Sequence, residues 1–457
     1  MNLNSGKFIV VSGFILILIY IILFPPLYNY GDGTVYLNFA KEIAEKGNTG
    51  QYLHRSPLLP WLISLIIKPL GFENTAKVVV VFNFITIFLS GLILFTIIQK
   101  YLCSDTIALI STLIFYLDFS VIFYGYVLYT ETLTLFLVML TVRFLLGTLH
   151  NSSGWFPLLS GIFASLTVLC RFNILPLLAV FLAGIVLIGY FIYGFGLVPV
   201  LKKAGLFILP VFIILNSYSY HNYKTWGFYG VFPAGGSSIV SRNALIATLR
   251  GDENVTEQQR EVLKIFINAR NNFLKEEQAV YKSSLLFPGR KNLINEMAGG
   301  FKIYLKALPS LCDYFKIDPK KPEPEISEKL HPFYREIRKI NKPHIWKLRA
   351  LSFAGSFTSS AGLNTPSKPD THLARLPSGI LIVYKLLVPL ISFAVLMLSV
   401  IYLLRVILGC AAPDGTILFF ILIISGFFLI NFGFATVIDA SRFKYPSEPF
   451  IISLGVY

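Results

Sequence analysis

Residues 8–34, FIVVSGFILILIYIILFPPLYNYGDGT, decide the fold. The first 20 of them are apolar, and about 20 is the number an α-helix needs to cross the hydrocarbon core of a bilayer. They follow a single Lys7 and contain no small-residue cleavage site, so we expect a retained membrane anchor and not a signal peptide. Polar sequence with the carboxylate of Asp32 begins directly after this helix.

Similar apolar runs recur along the chain. The further runs expected to form helices are 78–98, 106–127, 132–149, 155–170, 172–199, 204–220, 378–404 and 416–437. A last run begins near Pro446, and the chain stops at Tyr457; either the sequence is truncated or this segment is half inserted.

Composition supports the same conclusion. Of 457 residues, 55% are hydrophobic and 14% are charged, against about 25% charged in soluble domains. Mean hydropathy is +0.68. A soluble enzyme is thereby excluded, and we predict an all-α polytopic membrane protein with about nine or ten transmembrane helices.

The segment Pro57–Leu70, PLLPWLISLIIKPL, fixes the topology. It is only 14 residues long, which by length favours an interfacial or re-entrant helix. If the N-terminus is inside, the loop 28–77, Glu131, Arg171 and the segment 218–377 then share the outer side. If the segment spans, Asp32 and Glu131 lie on opposite sides.

Charge distribution agrees with the first arrangement. Residues 218–375 contain 24 Lys/Arg and 14 Asp/Glu, which is +10 of the net +15. Orientation is set by bases in short loops, since long loops translocate largely regardless of charge. Six bases fall on the expected inner side against Asp105 and Asp414: Lys7, Lys100, Arg143, Lys202, Lys203 and Arg405. The large basic segment is therefore expected outside, which disfavours a nucleic-acid partner.

Three regions follow from this topology. Residues 1–220 form an N-terminal transmembrane region of seven spans, which includes the first outer loop 28–77. Residues 221–377 form a large extracytoplasmic, mostly helical loop or small domain, in which Thr256 and Gln259 match a capping box. Residues 378–457 form a C-terminal transmembrane region. The chain has no P-loop, GxSxG, HExxH or paired CxxC motif.

Two acids at expected outer helix ends are the candidate catalytic residues. Asp32 lies between glycines that let the backbone approach a substrate, and its carboxylate could serve as a general base; alternatively, it caps the helix expected over 34–46. Glu131 lies between two apolar runs, where a merely solvated acid at a helix N-terminus is the alternative.

Basic residues provide the complementary charges. Arg171 has apolar sequence on both sides, and an intramembrane base is costly enough to suggest a function, with a phosphate or an acid as its partner. Arg55 and Arg442 are expected at the outer surface, where they could meet anionic headgroups. Asp118 and Lys385 lie within expected spans and could form a buried pair or contact substrate; Lys385 could also snorkel.

Taken in order, these motifs resemble those of a GT-C glycosyltransferase. They are Asp32 after the first span, HRSPLLP at 54–60, YTE at 129–131, LCRF at 169–172, HNY at 221–223 with WG at 226–227, and RFKYP at 442–446. The resemblance runs almost end to end. It is nearest to the bacterial and archaeal relatives of protein O-mannosyltransferases and of the lipid A aminoarabinose transferase, and it implies a GT-C-like bundle.

The resemblance implies transfer of a sugar from a polyprenyl-phosphate donor to a lipid, glycan or protein acceptor, with inversion. The reaction would take place on the extracytoplasmic side of a prokaryotic cytoplasmic (inner) membrane, with membrane lipid as a further partner. Asp32 would be the general base, and Glu131 would orient a base or, with Asp32, hold a divalent cation. The residues that would bind the donor phosphate are Arg171, Arg442 and Arg55. Those that would contact the acceptor or substrate are Tyr30, His54 and Asn222.

Two other functions remain open from the sequence. A transporter or flippase of lipid-linked glycans would suit the many spans and the intramembrane charges, although the sequence has no evident inverted repeat. A non-enzymatic scaffold would tolerate replacement of Asp32 and Glu131.

Overall fold

The computed structural model describes residues 3–23, 32–47, 55–150, 154–232, 256–277, 300–318, 325–326, 329–330, 378–434 and 445–456. The regular elements within these ranges are helical, which confirms the all-α prediction. The α-helices are α1 Leu3–Leu23, α2 Gly33–Lys46, α3 Leu58–Tyr101, α4 Asp105–Leu117, α5 Phe119–Tyr126, α6 Glu131–His150, α7 Trp155–Cys170, α8 Leu177–Ala183, α9 Leu197–Trp226, α10 Glu257–Glu277, α11 Gly300–Phe315, α12 Ser378–Ile407, α13 Gly415–Phe434 and α14 Glu448–Val456.

The apolar helices make the chain a polytopic membrane protein. By length and composition, six described helical segments can cross a bilayer, or seven if α4 and α5, which meet at 50°, form one bent span. Two further apolar helices, α7 and residues 415–429 of α13, are shorter. All nine runs expected from the sequence fall wholly or largely on helical segments. The run 172–199 comprises a 3-10 turn, Phe172–Ile174, then α8, a π-helix, Gly184–Ile192, and the start of α9. The run that begins near Pro446 forms a 3-10 turn, Tyr445–Ser447, followed by α14.

Helix α3 contains the segment that was expected to be interfacial. It extends for 44 residues but breaks at Gly71, whose φ of 73° and ψ of 165° are not helical. A positive φ favours glycine because a side chain at that position would be strained. Residues 58–70 therefore form a separate arm ahead of the longer part, 72–101, and the interfacial placement of this arm stays a prediction.

Close helix contacts organise the main core. The ring of Tyr116 on α4 lies so close to Gly13 of α1 and Gly91 of α3 that a Cβ at either glycine would overlap it. Its hydroxyl donates to the carbonyl of Phe88 over 2.8 Å, and its carbonyl accepts from the Tyr20 hydroxyl over 3.0 Å. One tyrosine thus joins α1, α3 and α4.

The capping box in the basic segment is confirmed. Thr256 N donates to Gln259 Oε1 over 2.8 Å, and Gln259 N donates to Thr256 Oγ1 over 3.2 Å. Helix α10 begins directly after Thr256, and α10 packs against α11.

Candidate functional site

Asp32 lies immediately before α2 and forms an ion pair across the first loop. Its carboxylate makes no hydrogen bond that caps the helix. Instead, Arg55, three residues before α3, donates from Nη2 to Asp32 Oδ1 over 2.9 Å. Both side chains are partly buried, with 22% of Arg55 and 26% of Asp32 exposed. Asp32 therefore occupies the N-cap position of α2, but its carboxylate pairs with Arg55 and makes no capping hydrogen bond.

Glu131 and Arg171 form a second, more deeply buried pair. Glu131 begins α6 and Arg171 directly follows α7, and these packed helices place both residues at one end. Arg171 Nη1 lies 2.9 Å from Glu131 Oε1, with Glu131 fully buried and 8% of the Arg171 side chain exposed. The alternative of a merely solvated Glu131 is therefore wrong. Removing one partner of a buried pair typically costs about 3–5 kcal/mol because an uncompensated charge remains.

A backbone contact brings the two pairs together. Phe172 N, next to Arg171, donates to Ser56 Oγ, next to Arg55, over 3.3 Å. The same end of the bundle is packed by a cluster that includes Leu37, Leu59, Leu128, Leu133 and Cys170. The start of α2, the start of α3, the start of α6 and the end of α7 thus converge.

An aromatic group lies beside this convergence. Phe172 is 6.1 Å from Tyr218 and 5.1 Å from Phe232, measured between ring centroids. Trp61 of α3 lies 5.8 Å from Tyr218 in an edge-to-face arrangement. The end of α9 and the turn after it therefore pack against the Arg171 segment.

Asn222 stabilises the turn after α9 by a hydrogen bond. It is buried near the end of α9, and its Nδ2 donates to the carbonyl of Gly230 over 2.7 Å. Its amide nitrogen is thus used to hold the chain that leads to Phe232, and contact with a substrate stays a prediction.

The remaining candidate residues from the sequence either have a structural role or lie outside the described residues. Asp118 caps α5, since its Oδ1 accepts from Ser120 N over 2.7 Å and from Val121 N over 3.3 Å. Tyr30, His54 and Arg442 lie outside the described residues, as does the side chain of Lys385.

Sequence reasoning did not identify Ser56 or the aromatic group. Ser56 adjoins Arg55 within HRSPLLP, and Phe172 adjoins Arg171 within LCRF, so the motifs contained them. Tyr218 and Phe232 gave no separate signal, because aromatic residues are common throughout this apolar chain.

Asp32 and Glu131 were also expected as ligands of a divalent cation. Each already has a guanidinium nitrogen 2.9 Å from one carboxylate oxygen, with which a cation would compete. Within the described ranges, no three His, Cys, Asp or Glu side chains come together as a potential metal site. Mg²⁺ is commonly held by one or two carboxylates together with substrate phosphates and waters, so cation binding by Asp32 and Glu131 stays a prediction.

The arrangement brings two carboxylates and two guanidinium groups together, one pair partly buried and the other buried. Each carboxylate is matched by one guanidinium. Because a guanidinium has five N–H donors, an arginine that contacts an acid retains donors for a second anion. The site can therefore accept a proton on a carboxylate and hold a phosphate nearby.

Comparison with known proteins identifies a solved structure to which this chain is similar. No family model and no curated protein matches the chain. Among solved structures, it is similar to the crystal structure of ArnT from Cupriavidus metallidurans bound to undecaprenyl phosphate. The identity is 12% and the TM-score is 0.36, over 97% of this chain and 78% of that one. A TM-score this low does not establish a shared fold.

Proposed function

We propose that this chain is a membrane glycosyltransferase that moves a sugar from a polyprenyl-phosphate donor to a lipid, glycan or protein acceptor on the extracytoplasmic side. The observation that carries the proposal is the convergence of Asp32–Arg55 and Glu131–Arg171 through Ser56 and Phe172. The order of the sequence motifs supports the choice of reaction class.

In the proposed reaction, the Asp32 carboxylate takes the proton of an acceptor hydroxyl. The acceptor oxygen then attacks the anomeric carbon from the side opposite the phosphate, so the configuration inverts. The bond between that carbon and the phosphate oxygen breaks, and its electron pair stays on the lipid phosphate. Guanidinium groups that are already in position lower the barrier by stabilising this developing charge.

Arg55 links donor binding to the base. While it contacts Asp32, it neutralises the carboxylate that must accept a proton. A phosphate offers the same guanidinium two oxygens in bidentate geometry. Donor binding would therefore draw Arg55 toward phosphate and release Asp32 for the acceptor.

Arg171 has a more fixed role in this proposal. Its Nη1 lies 2.9 Å from Glu131 Oε1 and both side chains are buried, so the guanidinium is positioned before the sugar donor binds. Arg442 would add a third positive charge. No step is assigned to a metal ion.

The test is incubation of the purified protein with a panel of polyprenyl-phosphate sugars and candidate acceptors, with mass spectrometry of the products. The wild type should release polyprenyl phosphate and form a glycosylated acceptor. Asp32→Asn should reduce turnover by about 10²-fold or more, because it removes the general base. Asp313→Asn is the matched control, since Asp313 is exposed on α11, and it should retain wild-type activity.

Two results would reject the proposal. One is full activity of Asp32→Asn in protein that folds and inserts normally. The other is movement of labelled lipid across liposomes without any chemical change, which would support the transporter.

A further inference from the structure

A second polar site lies at the other end of α3 and α6. It is a cavity of about 620 Å³ lined by Thr96, Gln99, Lys100, Cys103, Asp105 and Arg143. Arg143 follows Glu131 by about three turns of α6, roughly 18 Å along the helix axis at 1.5 Å per residue. The cavity is therefore separate from the candidate catalytic site.

Tyr101 orients the two cations of the cavity. Arg143 Nη1 donates to the Tyr101 hydroxyl over 2.8 Å, and its guanidinium carbon lies 5.6 Å from the centroid of that ring. The Lys100 ammonium lies 5.3 Å from the same centroid. Both positive charges are thus held around one aromatic side chain.

The lining of the cavity has a net positive charge. In the part of the chain that the structure describes, neither Lys100 nor Arg143 has an acid within ion-pair distance. Asp105, the acid among the lining residues, accepts from Gln99 Nε2 over 2.6 Å. It also lies in the first turn of α4, where a negative charge is favoured by the helix dipole. The cavity has two positive charges and one negative charge.

Apolar surface adjoins the cavity along α4. Ile110, Ile114 and Leu117 are each at least 42% exposed, and their spacing places them on one side of the helix that begins at Asp105. A lipid whose acyl chains lie along this stripe would bring its headgroup to the start of α4, beside Asp105 of the cavity lining.

We propose that this cavity binds a phosphate group, carried by an anionic lipid headgroup or present as free phosphate. The Lys100 ammonium and the Arg143 donors not used by Tyr101 contact the phosphate oxygens, and the Tyr101 hydroxyl holds the Arg143 guanidinium in place. Basic pockets between transmembrane helices are a recognised form of headgroup site. The proposal does not depend on the glycosyltransferase function.

The native cysteines allow a direct test. Cys103 lines the cavity and is exposed, Cys410 is exposed and is not among the lining residues, and Cys170 and Cys312 are buried. The full chain is placed in nanodiscs, and the alkylation rates of Cys103 and Cys410 by an uncharged maleimide are measured by mass spectrometry. Their ratio cancels effects of surface potential on both thiols.

Replacing phosphatidylcholine nanodiscs by ones rich in phosphatidylglycerol should lower the Cys103/Cys410 ratio about fivefold. Inorganic phosphate added to phosphatidylcholine nanodiscs distinguishes the source. Protection by phosphate alone indicates a free anion, and protection only by phosphatidylglycerol indicates a headgroup. Either result supports the phosphate site.

Matched variants complete the test. Lys100→Gln and Arg143→Gln should abolish protection, whereas Lys202→Gln, an exposed base on α9 outside the cavity, should retain it. Should Arg143→Gln not fold, the exposed Lys100 provides the decisive variant. A wild-type ratio that responds to neither anion, or equal loss in Lys202→Gln and Lys100→Gln, would overturn the proposal.

Discussion

Arg171 shows how an isolated charge in an apolar sequence acquires a partner. Its position between Cys170 and Phe172 predicted an acid or a phosphate as partner, and the structure provides the acid, Glu131. The pairing requires α7 to return along α6 so that the residue directly after α7 meets the first residue of α6. A buried charge is costly in the membrane unless it is paired, so this contact helps to fix the register of the two helices.

A double-mutant cycle tests the Glu131–Arg171 pair. Glu131→Gln and Arg171→Gln should each lower the free energy of unfolding by about 3–5 kcal/mol, since each leaves one buried charge. The double variant should be no less stable than either single variant, because it leaves neither charge. Unfolding in mixed micelles, followed by tryptophan fluorescence, provides the measurement.

The exposed pair Lys41–Glu45, at 3.8 Å, is the control for this cycle. Lys41→Gln should change stability by less than about 0.5 kcal/mol, as exposed ion pairs contribute little. Strictly additive losses in the Glu131–Arg171 cycle would show that the two charges do not stabilise each other.

At the scale of the helices, length and apolarity of the sequence predicted where the helices lie. The pairing of Asp32 with Arg55 could not be predicted, because it joins residues 23 positions apart and depends on how α2 packs against α3. The sequence separated Pro57–Leu70 from the next span but did not place the break at Gly71, since glycine and proline near a helix do not specify the angle that follows. Short polar motifs thus located the candidate residues, and helix packing determined their partners.

The contact of Tyr116 with two glycines predicts sensitivity to one added methyl group. Gly91→Ala places a Cβ against the Tyr116 ring, and such overpacking typically costs about 1–3 kcal/mol. Gly205→Ala on α9 is the matched control, because no atom lies within 4 Å of its added Cβ. Thermal unfolding in detergent should separate the variants; equal melting temperatures would show that the three helices do not pack as described.

Labelling of both ends of α3 tests the arm formed by residues 58–70. Asn38 is exposed on α2 before α3, and the exposed Cys103 follows it. If the arm lies at the interface, α3 crosses once, and an impermeant maleimide added to intact cells should label Asn38→Cys but not Cys103. A Cys103→Ser background isolates the new thiol. Labelling of both from one side would mean that the arm and the longer part each span.

Across the whole molecule, the two polar regions lie at opposite ends of α6. Glu131 begins this helix beside Arg171, and Arg143 lines the second cavity near its other end. The positive-inside pattern predicts that the Arg143 end faces the cytoplasm and that the long basic segment lies on the outer side. On this prediction, much of the net charge of +15 lies on the side where the proposed reaction takes place.

Long-range attraction between the positive charge of the protein and the polyprenyl-phosphate sugar predicts that the KM depends on salt concentration. Raising the ionic strength from about 0.01 M to about 0.15 M shortens the Debye length from about 30 Å to about 8 Å. The KM for a polyprenyl-phosphate sugar in neutral micelles should rise about twofold to fivefold, because screening weakens attraction between exposed charges. The kcat should change less, since Glu131 and Arg171 are buried and poorly screened. A neutral osmolyte at equal osmolality controls for solvent effects, and a KM independent of salt would show that the net positive charge does not assist donor capture.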